Sequence, residues 1–191
     1  MKTEKKIIKL FIEEKKAKTI REIAKKIKSD YKITHIAARK LLKKNIFLST
    51  IVGKSILCEL NQTYYGVEIY EAENERKEEL LKKRNIKQLY KEVMEKTKSI
   101  FFIFLVFGSY VKKEQTKSSD LDIIFISEDV DFEEKIQETF SLLPIKTHIL
   151  VFTAEEFIRM KDSKKSNVVQ EAMKNSIILY GIEDYYRLKN A

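Results

Sequence analysis

The sequence has no tryptophan, one proline, one cysteine and only four glycines among 191 residues. One cysteine, Cys58, excludes an intramolecular disulfide and leaves no second thiolate for a metal site. It reads as a small buried apolar residue on a strand, in keeping with a reducing compartment. Scarce Gly and Pro beside 43% hydrophobic residues exclude a disordered chain and predict regular structure over most of the length, in one domain or two small ones. Long apolar runs are missing too. The longest, Ile100–Phe107, falls far short of the roughly 20 residues a membrane helix needs. The opening "MKTEKKIIKLFIEEKKAK" is basic without an uninterrupted apolar stretch. A soluble cytoplasmic protein with no membrane partner is expected.

Acidic residues are scarce in one region in particular. Lys and Arg outnumber Asp and Glu by 17 to 6 in residues 1–60, 9 to 8 in 61–98, and 12 against 15 in 99–191, giving +11, +1 and −3. Such asymmetry suggests that the first part meets a polyanion while the last part does something else.

Helical periodicity runs through the first 44 residues in three pieces. Ile7, Ile8, Phe11 and Ile12 form one apolar face ending near Lys16. Thr19 with Glu22 three residues on makes a capping-box signal for a second helix, buried through Ile20, Ile23, Ala24 and Ile27. A turn is expected at Ser29–Lys32. A third helix, Thr34 to Lys44, is expected to bury Ile36, Ala37, Leu41 and Leu42. "IFLSTIVGKSILCEL" then gives two β-prone runs about Gly53-Lys54, a hairpin signal. With "TIREIAKKI" as second helix, "THIAARKLLKK" as recognition helix and "VGKS" as wing tip, residues 3–60 resemble a winged helix-turn-helix domain. The resemblance implies DNA binding, with Lys28, Lys32, His35, Arg39, Lys40 and Lys54 as contacts. Winged helices also serve as protein-interaction or dimerisation modules. Residues 61–98 read as a helical connector of one or two helices, broken near Arg84-Asn85, and as a candidate homodimerisation element.

From Ser99 the period changes. "SIFFIFLVF", "LDIIFIS" and "KTHILVF" read as strands, and "DFEEKIQETFSLL", "TAEEFIRMK" with Thr153 as cap, and "SNVVQEAMKNS" as helices. Between the first two strands stands "FGSYVKKEQTKSSDLD" (107–122). A chain leaving its strand at Phe107 and entering a helix would let Gly108 bring backbone close to a phosphate, with Ser109 and neighbouring amides holding its oxygens. Asp120 and Asp122, two apart on a strand, would share a face and a divalent cation, with Leu121 between them in the core. Phosphate cradle and metal pair then belong to one site.

This Gly-Ser to Asp-x-Asp pattern with flanking strands, over about residues 99–181, resembles the nucleotidyltransferase superfamily that includes DNA polymerase beta, and its minimal prokaryotic branch in particular. The resemblance implies transfer of a nucleoside monophosphate from a nucleoside triphosphate, ATP the leading candidate, with release of pyrophosphate. Gly108 and Ser109 would hold the triphosphate, and Asp120 and Asp122 the Mg²⁺ or Mn²⁺. Members of the branch include antitoxins that adenylylate a cognate toxin, so a protein acceptor fits. The family's third carboxylate, from the next core strand, is expected at His148, which is not an acid. Relatives often carry glycine shortly after Gly-Ser; here Lys112, Lys113 and Lys117 follow and could steer a triphosphate.

The expected fold is therefore α+β: a winged helix-turn-helix over 1–60, a helical connector over 61–98, and a mixed sheet with flanking helices of the nucleotidyltransferase type over 99–191. Two functions from different classes follow. One is a DNA-binding, Mg-dependent nucleotidyltransferase. The other is a non-catalytic transcriptional regulator whose degenerate nucleotidyltransferase fold senses nucleotide or dimerises. Transfer onto RNA ends ranks lowest, for want of an RNA-recognition signature.

Overall fold

The computed structural model describes residues 2–97, 101–112, 119–141 and 143–191, which divide into two compact units, Met1–Ala72 and Glu73–Ala191. The first unit runs α1 (Thr3–Glu14), β1 (Lys18–Thr19), α2 (Ile20–Lys26), α3 (Tyr31–Lys43), β2 (Phe47–Val52) and β3 (Ser55–Leu60). Its antiparallel sheet has the order β1-β3-β2. Ile7, Ile8 and Phe11 of α1, Ile23 of α2 and Leu41 of α3 close on Phe47 and Cys58 of the hairpin, all essentially without exposure, with the Phe11 and Phe47 rings 4.6 Å apart. Each such aliphatic or aromatic side chain contributes about 1.5–3 kcal/mol by leaving water.

Local chemistry sets the helix ends. At α2 both halves of the capping box form: the Thr19 amide donates to Glu22 Oε2 at 2.7 Å and the Glu22 amide donates to Thr19 Oγ at 3.3 Å. α3 starts three residues before the expected Thr34, because Asp30 Oδ1 accepts from the amides of Lys32 and Ile33. That start defines the buried stripe as Thr34, Ala37, Ala38 and Leu41. Thr34 can be fully buried because its hydroxyl donates to the Asp30 carbonyl at 2.8 Å. Ile36, expected in the core, falls off the stripe and is 50% exposed.

Residues read as a connector are shared between the units. α4 (Val67–Leu80) contains the division, and α5 (Arg84–Lys96) contributes Ile86, Leu89 and Val93 to the core of the second unit. The helical break lies at Leu81–Lys83, slightly before the expected Arg84-Asn85.

The second unit continues β4 (Ile103–Phe107), α6 (Ser109–Lys112), β5 (Leu121–Ile126), α7 (Phe132–Ser141), β6 (Thr147–Phe152), α8 (Ala154–Lys161), α9 (Val168–Lys174), β7 (Ser176–Tyr180) and α10 (Ile182–Asn190). The mixed sheet has the order β6-β5-β4-β7, with β5 parallel to β6 and the other pairs antiparallel. One face carries Phe104, Val106, Leu121, Ile123 and Phe125 against α5 and Phe132, Ile136 and Phe140 of α7. The sheet thus buries β4 and β5 on both faces, which is why these read as continuous apolar runs rather than alternating ones. No helix among the described residues is long and apolar enough to cross a membrane.

Candidate functional site

The end of β4 and the start of β5 meet at one corner of the sheet. Phe107 pairs with Asp122, so Gly108, the next residue, lies beside the Asp122 carboxylate. Gly108 has φ +72°, and a Cβ there would overlap Asp122 Oδ2. Glycine is required on two counts, backbone hand and carboxylate space. The chain then enters α6 directly, its single turn closed by the Val111 and Lys112 amides, which donate to the Gly108 carbonyl at 3.2 Å. Ser109 opens that turn and is half-buried.

Asp122 is inside β5, its side chain 29% exposed; Asp120 is exposed, one residue ahead of the strand. The expectation of two carboxylates both on the strand is therefore met by Asp122 alone. Leu121 between them is fully buried in the core, as expected. On the other side of β5, His148 is in parallel register with Asp122, and its Nδ1 lies 3.5 Å from Asp122 Oδ1. β6 is an edge strand and the His148 side chain is 59% exposed. Asp122 thus has the Gly108 backbone on one flank and an imidazole on the other.

Asp122 with the His148 imidazole beside it, and Asp120 two residues earlier in the chain, supply donors of the kind a divalent cation completed by phosphate oxygens takes. The space a Cβ at Gly108 would need is held by the Asp122 carboxylate, so bare backbone and carboxylate lie side by side at this corner. Among the described residues, no three or more His, Cys, Asp or Glu side chains are gathered closely enough to hold a metal ion by themselves, so Asp120, Asp122 and His148 are not brought together as one ligand set. Lys112 Nζ lies 3.6 Å from Glu171 Oε1 of α9, so this lysine has an acidic neighbour of its own. Lys113 and Lys117 lie outside the described residues.

Sequence reading missed a buried polar cluster in the same unit. Arg76 of α4 donates to Glu73 Oε2 at 2.6 Å and to the Ser176 carbonyl at 2.9 Å, and the Tyr186 hydroxyl donates to Glu73 Oε1 at 2.8 Å. Ser176 pairs with Phe107, so the cluster holds the strand next to the Gly108 corner. Burial first, then the Glu73 charge, pushes the Tyr186 phenol well above its ordinary range. Nothing in sequence marked Glu73 and Arg76 apart from other charged residues of α4; only their i,i+3 spacing hinted at a pair.

In the first unit, Lys28, Lys32, Arg39, Lys40 and Lys54 are all exposed and His35 is half-buried. Lys28 sits at the α2–α3 turn with φ +52°, and Lys54 at the hairpin tip. Lys40 is 3.4 Å from Glu4, a pairing that charge counting could not reveal. His35 and Lys54 line a pocket of about 410 Å³ with Arg21, Tyr31, Thr19 and Ser55; no carboxylate lines it. Arg21, not anticipated, belongs to this basic face; its position after the Thr19 cap was the available signal. Cys58 is a fully buried residue of β3, and burial pushes its thiol up.

Comparison with known proteins agrees with the second unit's geometry. Residues 85–185, more than half of the chain, match the family model described as "Polymerase beta, Nucleotidyltransferase". The match begins within α5, earlier than the motif suggested. No curated protein and no solved structure matches the chain.

Proposed function

Because this chain belongs to the polymerase beta nucleotidyltransferase family, we propose that it transfers a nucleoside monophosphate from a nucleoside triphosphate, ATP first among them, to an acceptor hydroxyl. The observation that carries the reading is the Gly108–Asp122 contact, which joins the phosphate-binding turn and the acidic strand in one site. In the reaction the acceptor oxygen bonds to the α-phosphorus as the bond from that phosphorus to the bridging oxygen breaks. Pyrophosphate leaves, and the hydroxyl proton passes to a base.

Gly108 and Ser109 hold the triphosphate, with Lys112 and Lys113 as further phosphate contacts. Asp120 and Asp122 hold Mg²⁺ or Mn²⁺. The bound cation would neutralise phosphate charge. His148, its Nδ1 beside Asp122, offers Nε2 to take the acceptor proton. Incubation with labelled nucleoside triphosphate and Mg²⁺, with and without candidate protein acceptors such as a cognate toxin, tests the reading. Asp120→Ala and Asp122→Ala should abolish transfer.

A second reading is favoured by one observation: the register position beside Asp122 holds a histidine rather than a third acid. On this reading the site binds nucleotide without turnover, and the protein is a regulator. Metal-dependent nucleotide binding without transfer to any acceptor would support it.

For the first unit we propose a winged helix that binds DNA through α3 and the hairpin tip. The helix order, the β1-β3-β2 sheet, the exposed Lys28, Lys32, Arg39, Lys40 and Lys54 and the half-buried His35 among them support this. Its test is a titration with duplex DNA over a range of salt, in which log affinity should fall linearly with log salt.

A further inference from the structure

β2 is an edge strand whose free side is unusual for a basic domain. Five consecutive residues, Leu48–Val52, are exposed, with Ile51 at 80%, Val52 at 57% and Leu48 at 43%. Edges of this kind are ordinarily blunted by Lys, Pro, a bulge or an inward charge. The segment "FLSTIV" (47–52) has no charge and no proline, and its pairing with β3 runs from Phe47↔Leu60 to Val52↔Ser55 without a bulge. A polyanion would be met by cations, and β2 has none although residues 1–60 carry +11. The partner that suits an uncharged strand must itself be uncharged along the contact.

We propose that β2 pairs antiparallel with β2 of a second copy of this chain about a twofold axis through Thr50. A twofold axis normal to the sheet keeps each face on its own side, so opposed residues must share parity. Centred on Thr50, Leu48 stands opposite Val52, Thr50 opposite Thr50, and Ser49 opposite Ile51. Every cross-strand pair is then apolar or hydroxyl-bearing, and a Thr–Thr pair is favourable in itself. The strand is self-complementary in the sense an isologous interface requires. The product is one six-stranded sheet, β1-β3-β2-β2-β3-β1, with no unpaired β2 edge. On the DNA reading such a pair would present two basic units to a site with two half-sites. That consequence rests on the proposed function; the pairing does not.

The experiment needs neither DNA nor nucleotide. Sedimentation equilibrium of the full chain is expected to show a dimer. Ile51→Lys brings a charge into each copy's contact and is expected to weaken association by on the order of tenfold or more. Ile51 is largely exposed, so circular dichroism should be unchanged. Thr50→Cys, directly opposite itself, is expected to form an intermolecular disulfide under mild oxidation. Ser49→Cys, opposite Ile51, is not, and Cys58 is buried and should not cross-link. A monomer at high micromolar concentration would overturn the proposal, as would a dimer indifferent to Ile51→Lys or one that cross-links through position 49 rather than 50.

Discussion

Gly108→Ala is the sharpest probe of the corner between β4 and α6. The substitution imposes two penalties. An L-residue at φ +72° costs about 1–2 kcal/mol in backbone strain, and the new methyl group occupies the space of the Asp122 carboxylate. Asp122 is fixed at its backbone by pairing with Phe107 and His148, so its side chain must turn away. Losing one oriented carboxylate from a cation–phosphate site removes about 1.5–3 kcal/mol of binding, a charge-assisted interaction, or roughly 10- to 100-fold in affinity. The assay is titration with a nucleoside triphosphate and Mg²⁺, alongside thermal unfolding. Affinity should fall by that factor while Tm falls only by several degrees. Gly53→Ala is the control: φ is +59° with nothing within 4 Å, so it carries strain without collision and should leave nucleotide binding intact. In a Gly108→Ala/Asp122→Asn double variant the losses should not add, since both act through one carboxylate. Wild-type affinity in Gly108→Ala would refute the reasoning.

Other consequences follow from particular contacts. Arg76→Met takes the paired cation from the buried Glu73 carboxylate while the Tyr186 hydroxyl bond to it stays, and should destabilise the second unit by about 3–5 kcal/mol in urea; Arg76→Met/Glu73→Leu should recover much of that loss. Glu68 is held down at about 2 by hydrogen bonds from Lys44 and Tyr64, against an ordinary 4.5. Its folded value is depressed, so its stabilisation is complete above about pH 4.5 and lost as pH falls toward 2, an effect of about 1–2 kcal/mol after solvent screening. Glu68→Gln should flatten the stability profile of the first unit across that window. On the second reading, in which the histidine does not serve as base, His148→Asp places a carboxylate beside Asp122 and should raise Mg-dependent transfer by about 10²-fold; a lowered rate would instead support the imidazole as base. Arg39→Ala and Lys54→Ala, measured by duplex DNA titration across salt, should each reduce the magnitude of the log–log slope by about 0.9 per lost phosphate contact.

The legible parts of this protein are those written in short-range chemistry. Thr19 with Glu22 forms the capping box its spacing announces, and Thr153 caps α8 as expected, with Glu156 completing a box there. Gly53-Lys54 turns the hairpin, and the apolar runs at 103–107, 121–126 and 147–152 are strands. Leu121 between the two aspartates lies in the core, and Gly108 leads from strand to helix. What local pattern could not decide is which of several apolar residues faces inward. Asp30 starts α3 early, and the stripe then passes through a hydrogen-bonded Thr34 while Ile36 is left outside. Asp120 stands ahead of the strand because β5 begins where Leu121 donates to the Lys146 carbonyl, a contact 25 residues distant that no local rule contains. The Glu73–Arg76–Tyr186 cluster joins residues 113 apart, and the Lys40–Glu4 pair 36 apart. Both depend on tertiary placement alone. The family resemblance marks His148 as the position of an expected acid on the next core strand; its register with Asp122 and its approach to that carboxylate needed the structure.

The most direct test of the central claim is equilibrium binding of a nucleoside triphosphate to the full chain with and without Mg²⁺, in wild type and in the Asp120→Ala/Asp122→Ala variant, each confirmed folded by circular dichroism. The account predicts Mg-dependent binding in the wild type that disappears when both carboxylates are removed. Wild-type protein that binds no nucleotide in the presence of Mg²⁺, or a variant that binds as well as wild type, would contradict it.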